Sequence, residues 1–237
     1  MDFENVTYCK NCKSENPYFN LKCSICNSFL RDKIPNIDLG NIIINLIETP
    51  KVAFNKIILA EYKNYVLLLM FLISIRFMII SRFISVPFGY GNIDYNLKLV
   101  LIYFLIISLI TFLSISFCAK TIIKIQKLNS RFGDIFSVIT YSFIPYVIAL
   151  IILYPSELAV YGNYLFSNNP YPFEVKETTF YVFLFFEFLL ISWSIILHYN
   201  GFRALRLNNI SSLLLTFLST TIVFGILFLS TKVFVYL

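Results

Sequence analysis

Charged residues are scarce in this chain of 237 residues. Only 14% of the residues are charged, whereas an average soluble domain has about 25%. Hydrophobic residues make up 58% of the chain and aromatic residues 18%. A surface with so few charges cannot face water on all sides, so the composition excludes an ordinary soluble globular protein. It predicts an all-α membrane protein, because helices satisfy their own backbone hydrogen bonds in lipid.

Histidine and glycine are also scarce, with one and seven residues respectively. The single histidine, His198, falls at the end of an apolar segment, and we expect it to lie at the membrane interface. No glycine-rich loop that could cradle a phosphate is present. Asp134 has no second aspartate in another apolar segment to act with, and it suits the N-terminus of a helix. The sequence therefore predicts no enzymatic activity.

Four of the five cysteines lie within the first 26 residues, as Cys9, Cys12, Cys23 and Cys26. Their C-x2-C-x10-C-x2-C spacing places two thiols on each of two tight knuckles, which together supply the four ligands of a closed tetrahedral zinc site. Two disulfides or free thiols are the alternatives. Since four thiolates leave no open coordination position, the zinc would be structural and not catalytic.

Lys13 and Asn27 follow the second cysteine of each knuckle. The backbone of such knuckles turns left-handed at this position, which asparagine tolerates well and lysine less well. A head of about 30 residues has too small a core to fold alone. We therefore expect residues 1–30 to form a zinc ribbon whose stability comes from the metal.

Residues 31–63 are predicted to form a linker and two short amphipathic helices. Thr49-Pro50 suits the start of the second helix, with Thr as N-cap and Pro at the first helical position. The apolar face of that helix consists of Phe54, Ile57 and Ile58. We expect this basic helix to lie in the membrane interface. The alternative is a linker helix packed on the ribbon.

Residues 64–237 contain five apolar segments, which predict a five-helix transmembrane bundle. The segments are Tyr65–Phe83, Leu99–Ala119, Ile135–Tyr154, Thr179–Tyr199 and Ile210–Ser230. The first is too short unless it includes Arg76, so a re-entrant or buried segment is the alternative. The longest connection, Pro155–Thr178, is rich in proline and is predicted to be a loop that carries Glu157 outside the membrane.

Pro145 lies in the middle of the third span, in the stretch Tyr141-Ser142-Phe143-Ile144-Pro145. Proline removes one backbone donor, and the carbonyl of Tyr141 loses its usual partner. Lipid offers no replacement. We therefore expect a helix-break element, marked by Tyr141, Ser142 and Pro145, that is packed inside the bundle.

Arg76 and Glu187 are charged residues within predicted spans. Counted from the outer ends of their spans, both lie about 12 Å deep at 1.5 Å per residue. Charges at such depth face the bundle interior and are often paired. The matched depth favours a structural ion pair. A protonated, unpaired Glu187 and a substrate path are the alternatives.

Lysine and arginine are concentrated on one side of the predicted bundle. That side carries Lys51, Lys56, Lys63, Lys120, Lys124, Lys127, Arg131, Arg203 and Arg206. The bias predicts a cytoplasmic N-terminus and, with five spans, a C-terminus outside. The four cysteines would then lie in a reducing compartment, where metal binding is more common than disulfides. The same bias explains the net charge of +6, so nucleic acid is not an expected partner.

The third span, Gly133-Asp134-Ile135-Phe136 through Tyr141-Ser142-Phe143-Ile144-Pro145, resembles the signature of the Yip family. Thr49-Pro50-Lys51-Val52-Ala53-Phe54 and Glu61-Tyr62-Lys63-Asn64-Tyr65 are similar to the start of that domain in its prokaryotic members. The resemblance covers roughly residues 45–230. It implies five helices, a cytosolic N-terminus and no catalytic residue. Family members are named for interacting with Ypt/Rab GTPases, and a short cysteine ribbon in front is familiar among the prokaryotic ones.

The sequence thus predicts a non-enzymatic, multi-pass integral membrane protein with a structural zinc ribbon. Its expected role is to organise the membrane or to recruit a cytosolic protein through the ribbon, in the cell membrane if the source is prokaryotic. The lipid bilayer surrounds the protein, and the sequence is compatible with a homo-oligomer. The alternative is a transporter or channel-like protein that uses Arg76, Glu187 and the proline-broken span.

Overall fold

The computed structural model describes residues 6–85, 97–167 and 170–233. A short two-stranded sheet is followed by helices: β1 Val6–Tyr8, β2 Glu15–Pro17, α1 Leu39–Glu48, α2 Pro50–Leu59, α3 Val66–Ser85, α4 Leu97–Ile125, α5 Phe132–Ser142, α6 Ile144–Tyr161, α7 Pro172–Val175, α8 Glu177–Ala204 and α9 Asn209–Val233. The predicted connection at residues 84–98 falls mostly outside the described residues. The all-α membrane architecture with a small cysteine head is confirmed.

Four helices are long and apolar enough to cross a membrane: Lys98–Ile125, Phe132–Phe166, Glu177–Ala204 and Asn209–Ser230. The first predicted span corresponds to α3, whose described apolar part, Val66–Ser81, is shorter. α3 packs against α4, α5, α6 and α9, and many of its side chains are buried. The described residues therefore form four helices that are long and apolar enough to cross a membrane, together with the largely buried helix α3.

The third span is the most enclosed of the four long helices. In its most apolar window 72% of the residues are buried, against 28–39% in the other three. The helix breaks at Phe143, between α5 and α6, and Pro145 stands at the start of α6. The amide of Phe143 donates to the carbonyls of Thr140 and Tyr141. Pro145 cannot donate to the carbonyl of Tyr141, and the amide of Phe143 takes its place.

α6 continues through Pro155 to Tyr161, so the predicted loop from Pro155 onwards was wrong at its start. A short 3-10 turn, Gly162–Phe166, extends the span further. Proline is tolerated inside membrane helices because neighbouring helices and local adjustments satisfy the freed carbonyl. The consequence is that Glu157 is fully buried and not an exposed loop residue.

The apolar face of α2 is covered by protein. Ala53, Phe54, Ile57 and Ile58 are all 0% exposed, and α2 packs against α5 and α8. The expectation that this face enters the membrane interface was therefore wrong. Close packing is possible because Gly201 of α8 has no side chain. A Cβ atom there would lie 2.6 Å from Val138 and 3.3 Å from the ring of Phe54.

The cysteine head is a small antiparallel unit in front of these helices. β1 pairs with β2 in the register Val6↔Pro17, Thr7↔Asn16 and Tyr8↔Glu15, and a second pairing joins Lys22 to Phe29. The β1–β2 pairing flanks the knuckle of Cys9 and Cys12, and the second pairing flanks the knuckle of Cys23 and Cys26. The head then leads through residues 31–38 into α1, which packs against α2.

Candidate functional site

The four head cysteines converge on one point. Their Sγ atoms all lie within 4.8 Å of one another, and Cys9–Cys26 and Cys12–Cys23 are each 3.5 Å apart. A tetrahedral zinc with Zn–S bonds of about 2.3 Å needs sulfurs about 3.8 Å apart, so the arrangement fits such an ion. All four are free thiols in the structure, with no disulfide among them. The cluster could hold one metal ion.

The two knuckles have the same backbone geometry. Lys13 and Asn27 adopt φ values of 56° and 57°, the left-handed conformation that the spacing predicted. The amide of Lys13 donates to the carbonyl of Cys9 at 2.9 Å, and that of Asn27 donates to the carbonyl of Cys23 at 3.1 Å. Each turn therefore presents its two thiols on one side.

Two serines support the thiols, and the sequence analysis missed them. Ser14 Oγ lies 3.0 Å from Cys12 Sγ and 3.1 Å from Cys23 Sγ. Ser28 Oγ lies 3.0 Å from Cys9 Sγ and 3.1 Å from Cys26 Sγ. Each serine stands two residues after the second cysteine of its knuckle. This repeated C-x2-C-x-S spacing is the signal that could have found them.

Hydrogen bonds stabilise the thiolate form, which a metal requires, at Cys23 and Cys9. Ser14 acts in the same direction on Cys12, but burial and the neighbouring Cys26 and Cys23 thiols leave the pKa of Cys12 raised. The backbone amide of Cys26, followed by Ser14, lowers the pKa of Cys23 to about 5. The hydrogen bond from Ser28 does most to lower the pKa of Cys9 to about 7. A metal that binds here would meet at least two thiols already inclined to lose their protons.

A second constellation lies inside the bundle, around Arg76 of α3. Its Nη1 donates to Glu157 Oε2 at 2.7 Å, and its Nη2 donates to Glu157 Oε1 at 2.9 Å. Nη2 also contacts Glu187 Oε1 of α8. Arg76 and Glu157 are 0% exposed and Glu187 is 2% exposed. The structure thus brings Arg76 to Glu187 and adds Glu157, which the sequence analysis had placed in a loop.

Polar residues near the helix break are also buried. Ser142 is 0% exposed and donates to the carbonyl of Val138 at 2.8 Å. His198 is buried, not interfacial as expected, with Nδ1 2.9 Å from the carbonyl of Ser194. Its ring packs edge-on against Phe143, 4.7 Å between centroids. The histidine therefore packs against the break and has no acidic partner among the described residues.

The head is attached to the bundle by cationic side chains that contact two of its aromatic residues, Tyr18 and Phe19. Arg206 lies 4.8 Å from the ring of Tyr18, and Arg131 lies 5.2 Å from the ring of Phe19. Arg31 donates to the carbonyls of Phe19 at 3.0 Å and Leu59 at 2.9 Å. We call this set, Tyr18, Phe19, Arg31, Arg131 and Arg206, the joint. Burial raises the pKa of Tyr18, so its phenol stays neutral.

The C-terminus of α2 lies next to the joint and binds cationic side chains. Lys63 donates to the carbonyls of Ile58 at 3.0 Å and Ala60 at 2.8 Å, and Arg131 donates to Ile58 at 2.8 Å. Cations are favourable at the negative end of a helix dipole. Asp134, in the first turn of α5 as expected, pairs with Lys63 at 3.1 Å and with Arg131 at 2.8 Å. Asp134 therefore has a structural role.

These features define the class of the molecule. Its long apolar helices surround a buried one, its buried charges meet in clusters, and its head can bind a metal, so it is an integral membrane protein with several apolar helices. The Yip1 domain matches residues 44–232, and the chain belongs to the Yip1 family. This confirms the resemblance drawn from the third span. Searches among curated proteins and among solved structures found no match.

Proposed function

We propose that this protein is a non-enzymatic membrane organiser that uses its zinc-bound head to recruit a soluble protein on the cytoplasmic side. The joint is the observation that carries the proposal. Because Arg31, Arg131 and Arg206 hold the head against the bundle, a partner bound to the head is also held at a fixed position over the membrane. A freely tethered head would not provide this.

The head carries exposed apolar side chains that suit a protein partner. Ile25 is 71% exposed, Phe29 is 66% exposed and Tyr8 is 53% exposed, and we call these three residues the head surface. Exposed aromatic and aliphatic side chains on so small a unit are typical of interaction sites. Lys22 lies 5.0 Å from the ring of Phe29, which favours a partner with acidic residues around an apolar contact.

Zinc is the proposed metal, and its role here is structural. Four thiolates complete the coordination shell, so no position remains for a substrate or water. The cytoplasmic orientation rests on the excess of lysine and arginine on the side of the bundle that bears the head. The same orientation keeps the thiols reduced until a metal binds.

The proposal is tested by crosslinking full-length protein in its native membrane and purifying it in mild detergent. We expect a soluble protein to be crosslinked to the wild type and lost from the variant Ile25→Ser/Phe29→Ser. The control is Ile44→Ser/Ile47→Ser, which removes two exposed residues of α1, 57% and 58% exposed. Equal crosslinking in the wild type and the head-surface variant would refute recruitment through the head.

Transport is the second candidate function, and the buried cluster of Arg76, Glu157 and Glu187 favours it. Charges within membrane bundles often line substrate paths. Reconstitution in liposomes with candidate ions outside, compared with protein-free liposomes, measures this directly. Flux that is abolished by Glu187→Gln would favour transport over recruitment.

A further inference from the structure

Glu187 lines a cavity of about 420 Å³ between α3, α8 and α9. The other lining residues are apolar: Ile80, Leu184, Phe188, Ile191, Phe224 and Phe228. Leu184 and Phe188 are 40% and 63% exposed, so the cavity opens on the outer flank of the bundle. In a bilayer that flank faces acyl chains, which makes the cavity reachable from the lipid.

The carboxyl group at this cavity is only half satisfied. Glu187 Oε1 contacts Arg76, whereas Glu187 Oε2 is buried and has no hydrogen-bond partner among the described residues. A buried carboxyl oxygen without a donor is costly. A ligand that offers a hydrogen-bond donor to Oε2 would therefore be stabilised at this position.

The charges of the cluster do not balance. Arg76 binds Glu157 through both terminal nitrogens, so this bidentate pair already neutralises the guanidinium. An ionised Glu187 then leaves one negative charge in the bundle interior. A buried charge of this kind requires either a proton or a second cation.

The groove extends beyond this cavity. A second cavity of about 440 Å³ lies between α8 and α9, lined by Ile195, Leu213, Phe217, Phe224 and three threonines. Phe224 lines both cavities. From residue 213 to residue 228, α9 rises about 22 Å at 1.5 Å per residue. We call the two cavities together the α8–α9 groove.

We infer that the α8–α9 groove binds a single-chain membrane amphiphile with a primary amine, whose ammonium group pairs with Glu187 and whose hydrocarbon chain lies along the groove. The amine supplies both missing elements, an N–H donor for Oε2 and the positive charge that balances the cluster. The apolar lining accommodates the chain. This inference does not depend on the recruitment proposal, because the groove and the head share no residue.

Binding is a proton transfer whose atoms balance. In the empty groove Glu187 carries a proton, which removes the unbalanced charge. A neutral amine that enters from the bilayer takes this proton, and the products are an ammonium group and a carboxylate held together. Among the residues that the structure describes, Arg76 of α3 and Glu157 of α6 are the charged groups that face Glu187. Because Arg76 and Glu157 neutralise each other, only Glu187 takes part in the proton transfer.

The test is thermal unfolding of the full-length protein in detergent with dodecylamine, dodecanol or dodecyltrimethylammonium at equal concentration. We expect saturating dodecylamine to raise Tm by roughly 5 °C. Dodecanol lacks the charge and the quaternary ion lacks an N–H donor, so both should raise Tm much less. Glu187→Gln should abolish the rise, whereas Glu177→Gln, an exposed position on the same helix, should keep it. Equal shifts in the wild type and Glu187→Gln would overturn the inference.

A second measurement uses only the wild type and therefore does not depend on how a variant folds. A photoreactive long-chain primary amine is crosslinked to the protein in liposomes, and the labelled peptides are mapped. We expect labels concentrated on α8 and α9 around Ile191 and Phe224, with excess dodecylamine preventing them. Labels spread evenly over the exposed apolar surface, including Leu99 and Ile102 of α4, would overturn the assignment.

Discussion

Glu157 binds Arg76 through both carboxylate oxygens, at 2.7 and 2.9 Å, although 81 residues separate the two in the chain. The contact links α6 to the buried helix α3, and Glu187 joins it from α8. Three helices are thus connected by one guanidinium. Because none of these groups reaches water, the stability of the bundle depends on how their charges balance.

The first prediction follows from that balance. Arg76→Leu leaves two buried carboxyl groups without a partner and should be the most damaging of three variants, by about 3–5 kcal/mol. Glu157→Gln removes the bidentate pair and should rank second. Glu187→Gln leaves Arg76 and Glu157 balanced and should be nearly neutral. Thermal unfolding in detergent measures all three, with Glu177→Gln as the exposed control.

A double variant separates this view from a simple two-residue pair. In Arg76→Leu/Glu187→Gln, Glu157 is still left alone, so the loss should remain large. If Arg76 and Glu187 formed an isolated pair, the double variant would be less damaging than Arg76→Leu. A double variant that recovered most of the lost stability would mean that Glu157 does not depend on Arg76 as its partner.

The second prediction concerns the metal. Purified protein should carry about one zinc per chain, measured by elemental analysis after preparation without chelator. Ser14→Ala and Ser28→Ala should each weaken metal retention about 10–100-fold in a chelator competition, the usual effect of losing an outer-shell hydrogen bond. Ser24→Ala is the matched control, because Ser24 Oγ donates to Asn16 and not to a thiol. Absence of zinc together with two disulfides would contradict the site.

The third prediction tests the close approach of α8 to α5. Gly201→Ala should destabilise the protein by about 1–3 kcal/mol, because the new methyl group would overlap Val138. Gly225→Ala on α9 is the control, since a Cβ there meets nothing within 4 Å. That substitution should stabilise the helix by up to about 1 kcal/mol. Equal effects at the two glycines would be inconsistent with the described packing.

The fourth prediction concerns the helix break. Pro145→Ala should keep the fold and cost only about 0.4–1 kcal/mol, because proline at the start of α6 mainly restricts the unfolded chain. Ser142→Cys should be inaccessible to a lipid-soluble thiol reagent, whereas Leu214→Cys, at a position 59% exposed, should react readily. Rapid labelling of Ser142→Cys would show that the break does not face other helices.

Features that depend on neighbouring residues in the chain were predicted from the sequence better than contacts between distant residues. The spacing of the head cysteines predicted their convergence and the left-handed turns at Lys13 and Asn27, since both depend on a few neighbouring residues. Apolar runs predicted the long helices. Arg76 and Glu187 could be suggested as partners because depth in a membrane is a quantity that the sequence provides.

What the sequence did not predict depends on contacts between separate helices. A proline usually marks the end of a helix in water, so Glu157 was assigned to a loop that begins at Pro155. In the bundle the helix α6 continues through that proline. The apolar face of α2 fitted lipid and protein equally well by composition. The absence of a side chain at Gly201 lets α8 approach both Val138 of α5 and Phe54 of α2 closely, and one glycine in a helix carries no such information by itself.

The joint also has a consequence for the order of events during biosynthesis. The ribosome completes the head at Arg31, but Arg206, which packs on Tyr18, emerges about 175 residues later. At synthesis rates of about 5–20 residues per second, this delay is roughly 10–35 s. The thiols can therefore acquire their metal well before the joint is complete. Attachment of the head can therefore begin at Leu59 and Arg131, but it is completed only after the connection between α8 and α9 has been made.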